Sequence, residues 1–195
     1  MSLVPAFEIG VWNAWIFMLF LFAPLIPGLL INKEEMDKLN EGWASEKWLK
    51  THRRLALSTH VVIMPFTFIY SIFLPLKVGT IWLYGGIIIC VLSLIISLIA
   101  SINIASAHLD TRPITNGVYR ISRHPLYFGG FLFYLGIGIA CASWIFILCA
   151  VAWMVIWNIA IKSEEGFLLG KYGDAYREYM DRTPRWIGIP KSAGK

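Results

Sequence analysis

The 37-residue run Pro125–Ile161, PLYFGGFLFYLGIGIACASWIFILCAVAWMVIWNIAI, contains no charged side chain. As one straight α-helix it would extend about 55 Å, far beyond a hydrocarbon core of about 30 Å. Tilt alone does not absorb that excess. Two crossings of about 17 residues fit, joined by a tight turn near Ala140–Trp144. Ser143 is then placed to cap the second helix. The reading of this run as a helical hairpin decides the fold, because the rest of the chain repeats its chemistry.

Upstream lie further uncharged stretches, and together they predict spans at about 11–31, 55–76, 79–104, 125–141 and 144–161. Apolar residues make up 57% of the 195-residue chain and charged residues 15%, against about 45–50% and about 25% in soluble domains. This composition excludes a soluble globule, a disordered chain and a disulfide scaffold. The expected fold class is all-α, a polytopic integral membrane protein with five transmembrane helices and a cytoplasmic C-terminal helical tail. It forms one membrane-embedded domain over residues 1–195, without internal repeats.

Basic residues fix the number of spans and their direction. No Lys or Arg precedes Lys33, six fall between Asn32 and Arg54, and only Lys77 separates the second and third spans. The connection before Pro125 holds Arg112, Arg120 and Arg123, and seven more lie from Lys162 onward. Five spans therefore place 16 cations on one side and one on the other, whereas four spans leave nine against eight. The positive-inside rule selects five, with the N-terminus outside and the C-terminus cytoplasmic. The net charge of +5 needs no nucleic-acid partner to explain it.

The first span lacks a basic n-region, is too long, and is interrupted by Pro24 and Pro27, so it reads as a kinked or broken membrane helix and not as a cleaved signal. Trp12, Trp15, Trp82 and Trp144 lie near predicted outer ends, as an interfacial belt would. Met36, Leu39, Trp43, Trp48 and Leu49 recur at helical spacing and suggest a surface helix between the first two spans. Cys90, Cys141 and Cys149 sit in apolar stretches without CxxC spacing and read as small buried hydrophobes, neither bridged nor metal-binding.

Residues able to do chemistry gather at one side, on the two ends of the hairpin, within a catalytic region over about 108–190. Before it comes GVYRISRHPLYFGG (117–130) and after it KSEEGFLLGKYGDAYREYMDRTPRW (162–186). Pro125 opens a helix and holds His124 outside the helical region. The helix start beside Arg123 and His124 favours anions. Glu164 and Glu165 sit at the acyl boundary, where carboxylates are costly unless paired or solvated. Leu168, Tyr172 and Tyr176 follow Glu164 at steps of four and share its helix face. Gly173–Asp174 is expected to break and restart that helix, with Asp174 as N-cap. Arg185 lies beyond Pro184, in a segment able to fold back.

The string G-x-Y-x-x-x-R-H-P-x-Y from Gly117 to Tyr127, a hairpin, then Glu164-Glu165 with Y-G-x-x-Y-x-x-Y and an arginine, resembles the isoprenylcysteine carboxyl methyltransferase family. That family is related to the phospholipid methyltransferases. The resemblance covers 117–186 and implies an integral-membrane enzyme dependent on S-adenosylmethionine. It implies a cofactor site made of Tyr119, His124, Pro125, Tyr127, Glu164, Glu165 and Tyr176, and a catalytic set of Arg123, Glu165 and Arg185, with Arg123 or Arg185 facing the acceptor. It implies no metal, and it implies a lipophilic small-molecule or lipidated substrate met among membrane lipids. Members acting on isoprenylcysteine tend to carry a longer connection before the position of Gly117. Here His108, Asp110 and Asn116 are the polar residues available to replace it.

Transfer of the methyl group turns a sulfonium cation into a neutral thioether, so carboxylates and aromatic faces hold the reactant. A carboxylate acceptor needs desolvation and an arginine, whereas a thiol or ammonium acceptor needs a proton acceptor as well. Two other classes remain open on sequence grounds. A sterol-type membrane reductase using NADPH carries a string similar to RHPLYFGG, and a non-enzymatic carrier or scaffold is the second. Against a carrier, the predicted spans hold no Asp, Glu, Lys or Arg, leaving His60 as the ionisable candidate.

Overall fold

The computed structural model describes residues 8–29, 54–55, 57–107 and 112–191. They are all-helical, with no strand among the described residues and one isolated bridge between Asn13 and Pro75. The helices are α1 (Trp15–Met18), α2 (Ile26–Leu29), α3 (Met64–Ile72), α4 (Ile81–Ala105), α5 (Pro125–Ala140), α6 (Trp144–Tyr172) and α7 (Asp174–Arg182). The surface helix expected over 32–54 falls outside the described residues except at its last position, and so do His108 and Asp110.

The first apolar segment is broken, as its prolines require. A 3-10 stretch, Leu19–Leu25, carries Pro24 and separates α1 from α2. A proline inside a helix withholds one backbone donor and crowds the preceding turn. Ahead of α3, residues Thr59–Ile63 form a π-helical turn.

The Pro125–Ile161 run is a hairpin. α5 stops at Ala140, the chain turns through 141–143 with Ala142 at φ 49°, and α6 starts at Trp144 with Ser143 in the cap position. The Ser143 side chain makes no capping hydrogen bond, so the turn itself positions the helix start. α4 packs along α5, and α5 packs on α6. Both pairs are antiparallel, because Gly86 of α4 meets Ala140 and Gly136 while Ser97 meets Gly129, and Gly130 and Gly138 meet Trp153 and Ile147. A Cβ on Gly86 would run into the Ala140 backbone and the Gly136 carbonyl. The glycines thus set how closely α4 and α5 approach.

Among the described residues two helices, α4 and α6, are long and apolar enough to cross a membrane, and shorter apolar helices span Trp15–Pro24, Thr59–Ile72 and Pro125–Ala140. Large apolar side chains such as Ile88, Val91 and Ile95 on α4 and Leu148, Val151 and Val155 on α6 face outward. Inward, Tyr134, Ile137, Phe146 and Ala150 pack against Phe17, Met18 and Tyr70. A second cluster joins Ala100 and Tyr119 to Tyr176 and Tyr179. The three cysteines are free thiols, Cys90 and Cys141 buried and Cys149 half-buried.

Two details differ from the sequence reading. α6 does not stop where its apolar run ends but continues to Tyr172, carrying both glutamates on one unbroken helix. At the next helix Gly173, not Asp174, is the cap residue, and Asp174 is the first helical residue. Gly173 has φ 56°, a left-handed conformation open to glycine at little cost. The Asp174 carboxylate thereby sits in the first turn, where the helix dipole favours it.

Candidate active site

The chain enters the site through a short 3-10 turn, Gly117–Arg120. Gly117 has φ 56°, and a Cβ there would collide with the Asn103 side chain, so position and conformation both demand glycine. The turn delivers Tyr119 to the interior, where its carbonyl accepts a hydrogen bond from the Tyr179 hydroxyl at 2.7 Å. His124 then adopts φ −132° and ψ 58°, outside the helical region as the following proline dictates, and Pro125 takes the first turn of α5.

The tail returns to this turn through main-chain bonds. The Arg123 amide donates to the Pro184 carbonyl at 3.0 Å, and the Gly188 amide donates to the Ile121 carbonyl at 3.1 Å. The Ser122 hydroxyl donates to the Arg185 carbonyl at 3.4 Å and accepts from the His124 amide at 3.2 Å. These contacts lay residues 183–191 across the arginine–histidine–proline turn.

Consecutive residues on a helix point about 100° apart, so Glu164 and Glu165 serve different neighbours. Glu165 is 5% exposed. It takes the Arg123 guanidinium at 3.0 Å, His124 Nε2 at 3.3 Å, and Arg185 through Nε at 3.2 Å and Nη2 at 2.5 Å. Since an ionised carboxylate only accepts, His124 presents Nε2–H to it. Burial pushes the Glu165 carboxyl up, but the hydrogen bonds from His124 and Arg185 and the charge of Arg123 outweigh it and bring it down to about 2. Glu164 accepts from the Tyr127 hydroxyl at 2.8 Å and lies 4.0 Å from His124 Nδ1.

Beside Glu164 lies a cavity of about 210 Å³. Arg123, His124, Tyr127, Glu164, Tyr119 and Tyr176 all line it. Tyr127 stacks on Trp157 at 4.2 Å between ring centres, and Trp153 Nε1 donates to the Tyr127 carbonyl at 2.9 Å, so this wall is held in place from behind. Arg123 donates through Nη1 to the Met180 carbonyl at 3.0 Å, while its buried Nε has no hydrogen-bond partner. Burial raises the Tyr176 phenol, and the charges of Glu165 and Glu164 raise it further; burial and then Glu164 do the same at Tyr119. Burial likewise raises Tyr179. These phenols stay protonated near neutrality.

Of the residues expected at the site, Pro125, Glu165 and Arg185 are not among those lining the cavity. Pro125 is buried in the turn, and Arg185 is fastened to Glu165. Asn116 is exposed at the cap of the 3-10 turn, also away from the lining. Sequence reasoning missed Phe167 and Lys171, which join Glu164, Leu168 and Tyr172 in the lining. The spacing 164, 167, 168, 171, 172 is one helix face and was available as a signal. Ile104, Pro113 and Ile114 close the cavity from the α4 side; no pattern in the sequence points to them. Among the described residues, no three His, Cys, Asp or Glu side chains converge as a metal site. The cavity is suited to an organic ligand bearing both signs of charge and an aromatic group.

Residues 76–175 match the family model for phospholipid methyltransferase. The chain is 32% identical over 80 residues to a protein-S-isoprenylcysteine O-methyltransferase of Schizosaccharomyces pombe, covering 40% of this chain and 32% of that protein. It is also 32% identical over 88 residues to the protein of the same name from Dictyostelium discoideum, with the same coverage of each, 40% and 32%. The chain thus spans about a third of the length of the curated relatives it matches. The matched 76–175 contains the arginine–histidine–proline turn and both glutamates and stops short of Tyr176 and Arg185.

Proposed function

Because the chain belongs to the phospholipid methyltransferase family, we propose that it is a five-span membrane enzyme that moves a methyl group from S-adenosylmethionine to a lipophilic acceptor at the cytoplasmic face. The observation that carries this reading is the cavity itself. One wall offers a buried carboxylate, Glu164, and an arginine, Arg123, whose Nε is buried without a partner.

That donor set fits S-adenosylmethionine, which has a carboxylate, an ammonium, a ribose and an adenine. When bound, the cofactor supplies an electrophilic methyl group on a sulfonium. Arg123 and Lys171, the cations lining the cavity, would hold a carboxylate. Glu164 would take the ribose hydroxyls or the amino group, and Tyr119, Phe167 and Tyr172 offer ring faces. Glu165 and Arg185 act behind the wall: they fix the Arg123 guanidinium so that it does not have to reorganise as the reactants meet.

An acceptor carboxylate suits the arrangement better than an amine or thiol. The phenols remain protonated, and His124 directs Nε2–H at Glu165. An acceptor with no proton to lose, such as an isoprenylcysteine-like carboxylate, needs none of these groups as a base. The five spans are supported by the helix ends. Asn13, residues 72–76, the start of α4, the end of α5 and the start of α6 gather at one end with Lys77, and the site lies at the other. The acceptor then approaches from the bilayer and the donor from the cytoplasm.

The test is incorporation of labelled methyl from S-adenosylmethionine into membrane lipophiles, with an isoprenylated thiol acid and a phospholipid amine as alternative acceptors. Glu165→Gln and Arg123→Ala are expected to reduce incorporation about a hundredfold or more, as misplaced reacting groups do. Unchanged incorporation in both variants refutes the site, and transfer to the amine alone refutes the carboxylate acceptor.

A further inference from the structure

Across the wall formed by Pro113 and Tyr179 from the proposed active site, a second groove of about 490 Å³ lies between the 112–120 connection, α7 and the tail. Four cations line it, Arg112, Arg120, Arg182 and Lys191, all exposed, together with the hydroxyl-bearing Thr115 and Thr183. Among the described residues its one carboxylate is Glu178, already taken by Arg182 at 2.8 Å. Four cations against one carboxylate around one concavity leave an excess of positive charge and a positive potential.

The backbone segments that carry these cations are tied to one another within the fold. The Lys191 amide donates to the Arg182 carbonyl at 2.9 Å, and the Tyr179 hydroxyl ties α7 to the 3-10 turn. Guanidinium, ammonium and hydroxyl donors around one concavity match the oxygens of a phosphate.

The groove's neighbours say which phosphate. Ile121 directly follows Arg120, and Ile187 and Ile189 precede Pro190 and Lys191. The Gly188–Ile121 hydrogen bond draws the two strings together, and their isoleucines are 41%, 52% and 91% exposed. A soluble phosphate has no use for an exposed apolar cluster, whereas an amphiphile covers both. The 112–120 wall, moreover, links α4 to α5, with Arg112 seven residues after Ala105 and Arg120 five before Pro125. We infer that this groove is a binding site for an anionic phospholipid, its headgroup phosphate among the four cations and its chains against the isoleucines. The inference rests on the membrane placement proposed above but not on methyl transfer.

The test is native mass spectrometry of the full chain in detergent, offered equal dioleoyl phosphatidylglycerol and phosphatidylcholine. The wild type is expected to retain phosphatidylglycerol preferentially. The pair Arg120→Gln and Arg182→Gln is expected to lower that retention about tenfold. Arg177→Gln, on the same helix but paired with Asp174 outside the groove, is expected to leave it unchanged. Ile121→Ser with Ile189→Ser is expected to weaken phospholipid retention without changing the binding of glycerol phosphate. Retention unaffected by the arginine pair, equal loss in Arg177→Gln, or lipid retention indifferent to the isoleucines overturns the proposal, the last pointing to a soluble phosphate. S-adenosylmethionine binding by the same samples is expected to persist; its parallel loss overturns the groove as a separate site.

Discussion

The two ends of the helix bundle are closed by opposite kinds of chemistry. At one end, Asn13 Nδ2 donates to the carbonyls of Glu8 and Ile72, both at 2.6 Å, and the Ala14 and Leu76 amides bond to the Leu74 and Trp12 carbonyls at 2.9 and 3.0 Å. Tyr70 meets Ser143 at 3.4 Å. These contacts are neutral, and each contributes about 1 kcal/mol. At the other end Arg123, His124 and Glu165 form one buried cluster, closed from outside by the half-buried Arg185. The neutral end locates the chain with many small, separable contacts. The charged end concentrates its energetics in a few groups that share Glu165 as their acceptor.

The sharpest way to break this contrast is to remove the shared acceptor. Glu165→Ala leaves Arg123, whose side chain is 9% exposed, without its carboxylate; losing one partner of a buried pair costs about 3–5 kcal/mol. A large fall in Tm of the detergent-solubilised protein and loss of methyl transfer are expected. Glu165→Gln keeps the shape and is expected to lose activity with a smaller fall in Tm. Equal stability of wild type and alanine variant in thermal unfolding would show that the cluster is not buried.

The same carboxylate gives the next effect, a dependence on acid. Its folded value of about 2 lies below the ordinary 4.5, so the stability it adds is fully present above the ordinary value and disappears as pH falls toward the folded one. Between about pH 4.5 and 2 the wild type is expected to lose Tm progressively, and Glu165→Gln is expected to have a shallower profile over that window. Parallel profiles would break the assignment. The neutral end supplies the control, because Tyr70→Phe is expected to leave the slope unchanged.

A middle-sized effect lies where α4 and α5 touch near the neutral end. Gly86→Val places side-chain atoms where the Ala140 backbone and the Gly136 carbonyl already sit, and overpacking of that kind costs about 1–3 kcal/mol. Gly85→Ala is its partner experiment, since a Cβ there meets nothing within 4 Å. A drop in Tm for the first with little change for the second is expected.

The hairpin was legible because a 37-residue uncharged run has few other ways to fold, and the site's end was legible because so few charged residues were left to place. Glu164 and Glu165 stood out for the cost of carboxylates at an acyl boundary, and Tyr119, Arg123, His124 and Tyr127 only through the motif by which the chain resembles the isoprenylcysteine carboxyl methyltransferases. What adjacency in sequence did not reveal is that the two glutamates do different work, one facing the cavity and the other holding Arg123 and Arg185. That division follows from the helix running on to Tyr172 and from the tail's bonds to Ile121 and Arg123, which are main-chain contacts indifferent to side-chain identity. Arg185 accordingly looked like a residue for the acceptor and is placed behind the wall. Phe167 and Lys171 were hidden for a different reason: the stripe was read at steps of four, and a helix face also includes the steps of three.

The smallest effect tests whether the neutral end is as additive as its chemistry implies. Ser143 occupies the cap position of α6 without using its side chain as a cap, and its hydroxyl reaches Tyr70 at the long distance of 3.4 Å. Ser143→Ala and Tyr70→Phe are each expected to cost about 1 kcal/mol or less. Their coupling in a double-mutant cycle is expected to be at most about 0.5 kcal/mol, the lower limit for residues in contact. The matching cycle at the charged end, Arg185→Gln with Glu165→Gln, is expected to show a larger coupling, because a bidentate pair to a buried carboxylate loses most of its value when either partner goes. If the two cycles gave equal couplings, the energetic difference between the ends would vanish, and the reading of the charged end as a preorganised site would lose its physical basis.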